Sequence, residues 1–143
     1  MNYFEDLAAG DARTFGSYEV TADEIVAFAE QYDPQPFHVD PDAAADSPFD
    51  GLVASGWHTA AMTMRLLVDH LLDDLATRGA AGVDELRWRE PVRPGQTLSV
   101  ETEIEGRRDW DEDTGVVDLA VTTAADGDPA LTMVALVLVA RRP

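Results

Sequence analysis

Asp33 and His38 are the residues whose types and spacing best fit chemistry. The run Tyr32-Asp33-Pro34-Gln35-Pro36-Phe37-His38-Val39-Asp40 sets a carboxylate and an imidazole at either end of a stiff, proline-rich loop. Were that loop fully extended, the five-residue step would span about 15 Å at roughly 3.1 Å per residue, too far for both groups to hold one water. A loop that turns back brings them together. The pair then offers acid/base catalysis, with His38 taking a proton from water while Asp33 orients that water or delivers a proton. The same residues also fit a plainer role, Asp33 capping the loop and His38 resting as a satisfied surface histidine.

A second segment, Gly51-Leu52-Val53-Ala54-Ser55-Gly56-Trp57-His58, runs straight into a helical pattern. A glycine at that point lets the backbone approach a ligand closely, and the first-turn N–H groups of a helix have no partners within it. Such donors, at the positive end of the helix, can hold a developing oxyanion. A plain tight turn would use Gly56 equally well. His58, at the helix start, is a second acid/base candidate or a packed side chain, and His70 is expected to be structural. The three histidines lack the spacing of a metal site, no phosphate-binding glycine motif occurs, and no metal is expected.

These residues need elements to position them. Thr21-Ala22-Asp23-Glu24 is a capping box, and the apolar spacing after it predicts a short helix ending near Gln31. Asp40-Pro41-Asp42 predicts another short helix over Ala43 to Ala45. From Trp57 onward, Ala60, Ala61, Met64, Leu67, Val68, Leu71, Leu72 and Leu75 recur at helical steps until Gly79, predicting a long helix of about 20 residues and about 30 Å. Strands are expected at Thr14–Val20, Val83–Val92, Thr97–Glu105, Gly115–Thr123 and Ala130–Ala140, the last as a central strand. The order predicts an α+β domain in which an antiparallel sheet wraps around one long central helix.

Composition narrows the function classes. The 143 residues carry 28 acidic side chains against 10 basic ones, all arginine, for a net charge of -18. Phosphates would be repelled, so binding to nucleic acid or an anionic membrane is not expected. The acids are spread along the whole chain, which favours a halophile surface, hydrated by carboxylates in concentrated salt, over a single acidic binding patch. With no cysteine, disulfides and thiolate chemistry are excluded. The start of the chain is not a signal peptide and no run is long enough for a bilayer span, so a cytoplasmic location is expected.

The Asp33 to Asp40 run, followed eighteen residues after His38 by Gly56 within Ala-Ser-Gly-Trp-His, resembles the MaoC-like (R)-specific enoyl-CoA hydratases of the hot-dog fold. Leu86-Arg87-Trp88-Arg89-Glu90-Pro91-Val92-Arg93-Pro94-Gly95 is similar to their first strand after the central helix. The resemblance covers nearly all of residues 1–143 as a single domain. It implies that Asp33 and His38 form the catalytic dyad, that the Gly56 N–H polarises the thioester carbonyl, and that Ser55 and Trp57 lie against the substrate. It implies an acyl-CoA substrate, no further cofactor, a role in fatty acid metabolism, and a homodimer whose sheets join side by side.

Some members of that family place a serine eight residues after the glycine, where it steadies the aspartate. Here the position is Met64, which would instead line the acyl pocket, and Thr59 or Thr63 is left to replace the serine. Arg87, Arg89 and Arg93 are candidates for the phosphates of coenzyme A, or else pair with nearby acids. Two other functions share the fold. A thioesterase needs a carboxylate near the start of the central helix, where the only acid between Trp57 and Leu72 is the distant Asp69. A noncatalytic binding subunit would not need both Asp33 and His38.

Overall fold

The computed structural model describes residues 1–143. Five strands, β1 (Ala12–Glu19), β2 (Thr77–Trp88), β3 (Thr97–Asp109), β4 (Thr114–Ala125) and β5 (Asp128–Ala140), form one sheet in the order β1-β3-β4-β5-β2. Every pairing is antiparallel. Four helices lie between β1 and β2 in the chain: α1 (Ala22–Tyr32), α2 (Pro36–Val39), α3 (Pro41–Ala45) and α4 (Gly56–His70). This is the hot-dog arrangement, an antiparallel sheet with one central helix.

Side-chain alternation decides which face of the sheet meets α4. Leu98, Val100, Thr102 and Ile104 of β3 are buried, and the acids between them are exposed. Val117, Leu119, Val121 and Thr123 of β4 continue the same inner face. Against it α4 buries Met62, Thr63, Leu66 and Leu67. Gly16 permits the closest approach of β1. It has φ +89° at a register shift in the strand, and a Cβ there would lie 2.9 Å from Leu66 Cδ2.

The structure corrects several sequence expectations. The central helix has 15 residues, about 22 Å, and ends at His70. Leu71 and Leu75 keep the apolar spacing but are buried from a non-helical backbone and a 3₁₀ turn, Leu72–Asp74. Asp73 and Asp74 would sit badly on the negative end of a longer helix. Gly79 is no helix stop; it has φ +95° inside β2, at a register shift. β2 therefore starts before Val83 and ends at Trp88, short of Val92. β5 is, as expected, an interior strand, paired with β4 on one side and β2 on the other, while β4 takes the middle place. The four-residue helix α2 is not predicted at all.

Candidate active site

Two local breaks in helical structure build the site. Pro34 disfavours helical backbone at the residue before it, so α1 ends with Asp33 at its C-cap, φ -152° and ψ 67°. The Asp33 N–H still donates to the Ala29 carbonyl at 2.8 Å, which ties the carboxylate to the last turn of α1. Pro36 then opens α2, its fixed φ suiting a first helical residue. This single helical turn folds the loop back and brings His38 Nε2 to 3.4 Å from Asp33 Oδ2. The turn-back that the chemistry requires is thus supplied by α2.

His38 is 6% exposed, and its orientation is set by backbone. Nδ1 lies 2.7 Å from the Val53 carbonyl oxygen, which can only accept, so we assign the ring proton to Nδ1. Nε2 then offers a lone pair to the gap beside Asp33. Neither partner brings a hydrogen to that 3.4 Å gap, so the pair is set to share a proton or the hydrogens of one water. Burial alone would raise the Asp33 carboxyl. Gln35 Nε2, donating to Asp33 Oδ1 at 2.7 Å, together with the nearby Ser55 hydroxyl and the positive charge His38 carries when protonated, outweighs burial and holds it below the usual carboxylate range. Ser55 Oγ is fully buried and has no partner at full hydrogen-bond distance.

The first turn of α4 faces the same space. Ser55 is the N-cap and makes no side-chain cap bond, and the N–H groups of Gly56 and Trp57 have no acceptor in the chain. Gly56 is required by contact: a Cβ there would lie 2.5 Å from Trp88 Cε2, and Trp88 Nε1 donates to the Gly56 carbonyl at 2.8 Å. Trp57 meets Trp88 edge-on at 5.1 Å. Together these groups line a half-open cavity of about 360 Å³ that also takes in Phe37, Thr59, Arg89 and Glu90. The arrangement can hold a carbonyl oxygen on backbone N–H groups beside an acid/base pair. No cluster of three or more His, Asp or Glu side chains is placed to hold a metal ion.

Asp33, His38, Ser55, Gly56, Trp57, Thr59 and Arg89 therefore meet around one cavity, and Met64, Thr63, Arg87 and Arg93 do not line it. Met64 is half exposed on the outer face of α4 and does not line it. Arg87 donates to the Leu86 carbonyl at 2.9 Å, away from the cavity. Arg93 donates to the Phe49 carbonyl at 2.6 Å and so braces the loop before α4. Thr63 does not replace the missing serine: its hydroxyl donates to the Thr59 carbonyl at 2.8 Å and meets Thr123 Oγ1 at 2.7 Å. His58 points away from the cavity, toward Glu24. Sequence reasoning missed Gln35 as the carboxylate's partner and Val53 as the histidine's. Gln35 lies inside the motif and was findable; Val53 acts through its carbonyl, which no side chain signals.

The MaoC like domain matches residues 6–125. A MaoC-like dehydratase of Rhodospirillum rubrum has a solved structure with 42% sequence identity and a TM-score of 0.90, covering 100% of this chain and 99% of that one. The (R)-hydratase of A. caviae involved in PHA biosynthesis has 25% identity and a TM-score of 0.75, covering 97% and 99%. Among sequence relatives, the 3-hydroxyacyl-thioester dehydratase Z of Mycobacterium tuberculosis is 29% identical over 137 residues, 89% of each chain.

Proposed function

We propose, from the premise that this chain belongs to the MaoC-like domain family, that it interconverts an enoyl-CoA and its (R)-3-hydroxyacyl-CoA by adding or removing water. The observation that carries this is the 3.4 Å pairing of Asp33 and His38, its imidazole locked by Val53, beside the free N–H groups of Gly56 and Trp57. In the hydration direction His38 Nε2 accepts a proton from water while Asp33 orients that water. The water oxygen bonds to the β-carbon and the C=C electron pair moves to the α-carbon and thioester oxygen. The N–H groups hold that oxygen's negative charge, and the proton taken from water returns to the α-carbon. The step is redox-neutral and needs no metal or redox cofactor. The relatives named as an (R)-hydratase and a 3-hydroxyacyl-thioester dehydratase support the reaction and its stereochemistry.

Arg89, the one arginine of the three that lines the cavity, is the candidate for the coenzyme A phosphates. A homodimer joined along β2 fits two surfaces. β2 is an unpaired edge almost wholly exposed, Val83 and Trp88 included, and α4 carries an exposed stripe of Trp57, Ala61, Met64 and Val68 at helical spacing. No helix is long and apolar enough to cross a membrane. We place the enzyme in the cytoplasm, in fatty acid metabolism, and expect it to work in concentrated salt, where its charge of -18 is screened.

Glu90 lines the same cavity and favours a second function, thioester hydrolysis. One assay separates the two. Crotonyl-CoA is incubated with the protein in molar salt, following loss of the enoyl absorbance, release of free thiol and the configuration of the product. Formation of (R)-3-hydroxybutyryl-CoA without free thiol is expected; free CoA from saturated acyl-CoA would favour the thioesterase, and no turnover of any enoyl ester would favour a binding subunit.

A further inference from the structure

Away from the cavity, polar side chains from three elements meet at the first turn of α4. Tyr18 of β1 donates its hydroxyl hydrogen to Glu24 Oε1 of α1, and that same oxygen faces His58 Nε2 of α4 at 3.8 Å. The His58 ring lies flat on Phe28, with centroids 4.6 Å and planes 8° apart, and Phe28 packs in turn on Tyr32, the residue before Asp33. Glu24 to His58 is the only polar side-chain contact between α1 and α4. Beside it the His58–Phe28 stack joins the two helices directly, and the chain links them through the segment of Pro34, Pro36 and α3, which contains the dyad.

A histidine is an odd choice for packing here. It is 4% exposed and its Nδ1 has no partner, a cost that phenylalanine would avoid while keeping the stack on Phe28. Buried charged networks are in general no more stabilising than apolar groups of the same shape. What the network does have is position. His58 is two residues from Gly56, and Glu24 and Phe28 are on the helix whose end carries Asp33. We propose that Tyr18, Glu24 and His58 are positioning residues that fix the end of α1 against the start of α4, and so set Asp33 relative to the Gly56 and Trp57 N–H groups. Consistent with a closed network, burial and the Glu24 carboxylate push the Tyr18 hydroxyl up to about 12, and burial holds His58 below the usual histidine range.

This inference rests on the hydratase function, and its test reads the site in two ways. Tyr18→Phe, Glu24→Gln and His58→Phe are compared with the wild type for crotonyl-CoA kinetics, thermal midpoint and the titration of the Asp33 carboxyl by ¹³C NMR. A shift of about 1 Å at a reacting group can cost 10²-fold. We expect kcat to fall about 10-fold or more with KM changed less than about two-fold, the Asp33 titration to move up toward its ordinary value, and the midpoint of His58→Phe to hold or rise. His58→Gln, which keeps a donor for Glu24, recovers part of the lost kcat. Wild-type kcat and Asp33 titration in all three variants would overturn the proposal, as would a kcat loss that only follows a falling midpoint. Should the wild type hydrate no enoyl ester, the hydratase function fails by itself and the Asp33 titration still decides the positioning claim.

Discussion

The start and the middle of α4 treat buried polar groups in opposite ways. At the middle of the helix, Thr63 is fully buried and doubly satisfied, by the Thr59 carbonyl and the Thr123 hydroxyl of β4. At the helix start, Ser55 Oγ and His58 Nδ1 are the two buried side-chain atoms of the protein without a partner, and the Gly56 and Trp57 N–H groups beside them are also free. Unpaired buried groups are costly, so their concentration in a single turn is informative. The sheet side of α4 is built for cohesion, and on the cavity side of the first turn Ser55, Gly56 and Trp57 keep hydrogen-bonding capacity in reserve for something that the chain itself does not supply. That contrast separates what holds the fold from what would do chemistry.

The largest expected effect breaks the open end. Gly56→Ala places a Cβ in the Trp88 indole and displaces either the ring or the first-turn N–H groups. Loss of one such donor costs roughly 10² to 10³ in kcat in other enzymes. Hydration should fall by about that factor while circular dichroism stays unchanged, because Trp88 is half exposed and can swing outward.

The next effect tests the satisfied side. Thr63→Val leaves the Thr123 hydroxyl buried without its side-chain partner and should cost about 1–3 kcal/mol of stability. Pairing it with Thr123→Val removes both polar groups and should restore much of that loss in a denaturant titration. In neither variant should kcat per folded molecule change by more than about two-fold, given that this pair only packs. A fall in kcat as large as that of Gly56→Ala would erase the distinction between the two sides.

The smallest effect is acid sensitivity. Burial holds His58 below its usual 6.5 in the fold, whereas in the unfolded chain it takes a proton near that value. Below that pH unfolding binds a proton, so stability that is fully present above 6.5 declines as pH falls. His58→Phe should flatten the decline between pH 7 and 5. Asp33 acts lower on the scale: its folded carboxyl lies below the usual 3.8, so its contribution is present above that value and is lost only on further acidification. Thermal midpoints across this range in wild type and His58→Phe make the comparison. Parallel curves would remove His58 as the cause.

Most of this contrast was legible in the sequence on the cohesive side. The alternation of Leu98, Val100, Thr102 and Ile104 against acids reports the inner face of β3 directly, since period-two burial leaves a direct mark on residue type. The long helix was overread because Leu71 and Leu75 are buried by tertiary packing from a turn that happens to keep helical spacing. At the site, Asp33, His38 and Gly56 were visible as residue types in a loop context. What fixes them was less so: α2 is one turn long, and the Val53 carbonyl and the free N–H groups belong to backbone that any residue carries. Met64 and Arg87 lie outside this cavity for a related reason, because nearness in sequence to a site says little about which face of a helix or strand a side chain takes.

The central claim is that Asp33 and His38 act as one acid/base pair on water. The direct measurement is hydration of crotonyl-CoA in molar salt by the wild type, Asp33→Asn and His38→Gln, with folding checked by circular dichroism. Each general acid/base role is worth roughly 10² to 10⁴ in rate. Both substitutions should therefore cut kcat at least 10²-fold in a folded protein, and the double variant should lose little more than either alone, since the two side chains share one task. Hydration that survives either substitution undiminished would contradict the account.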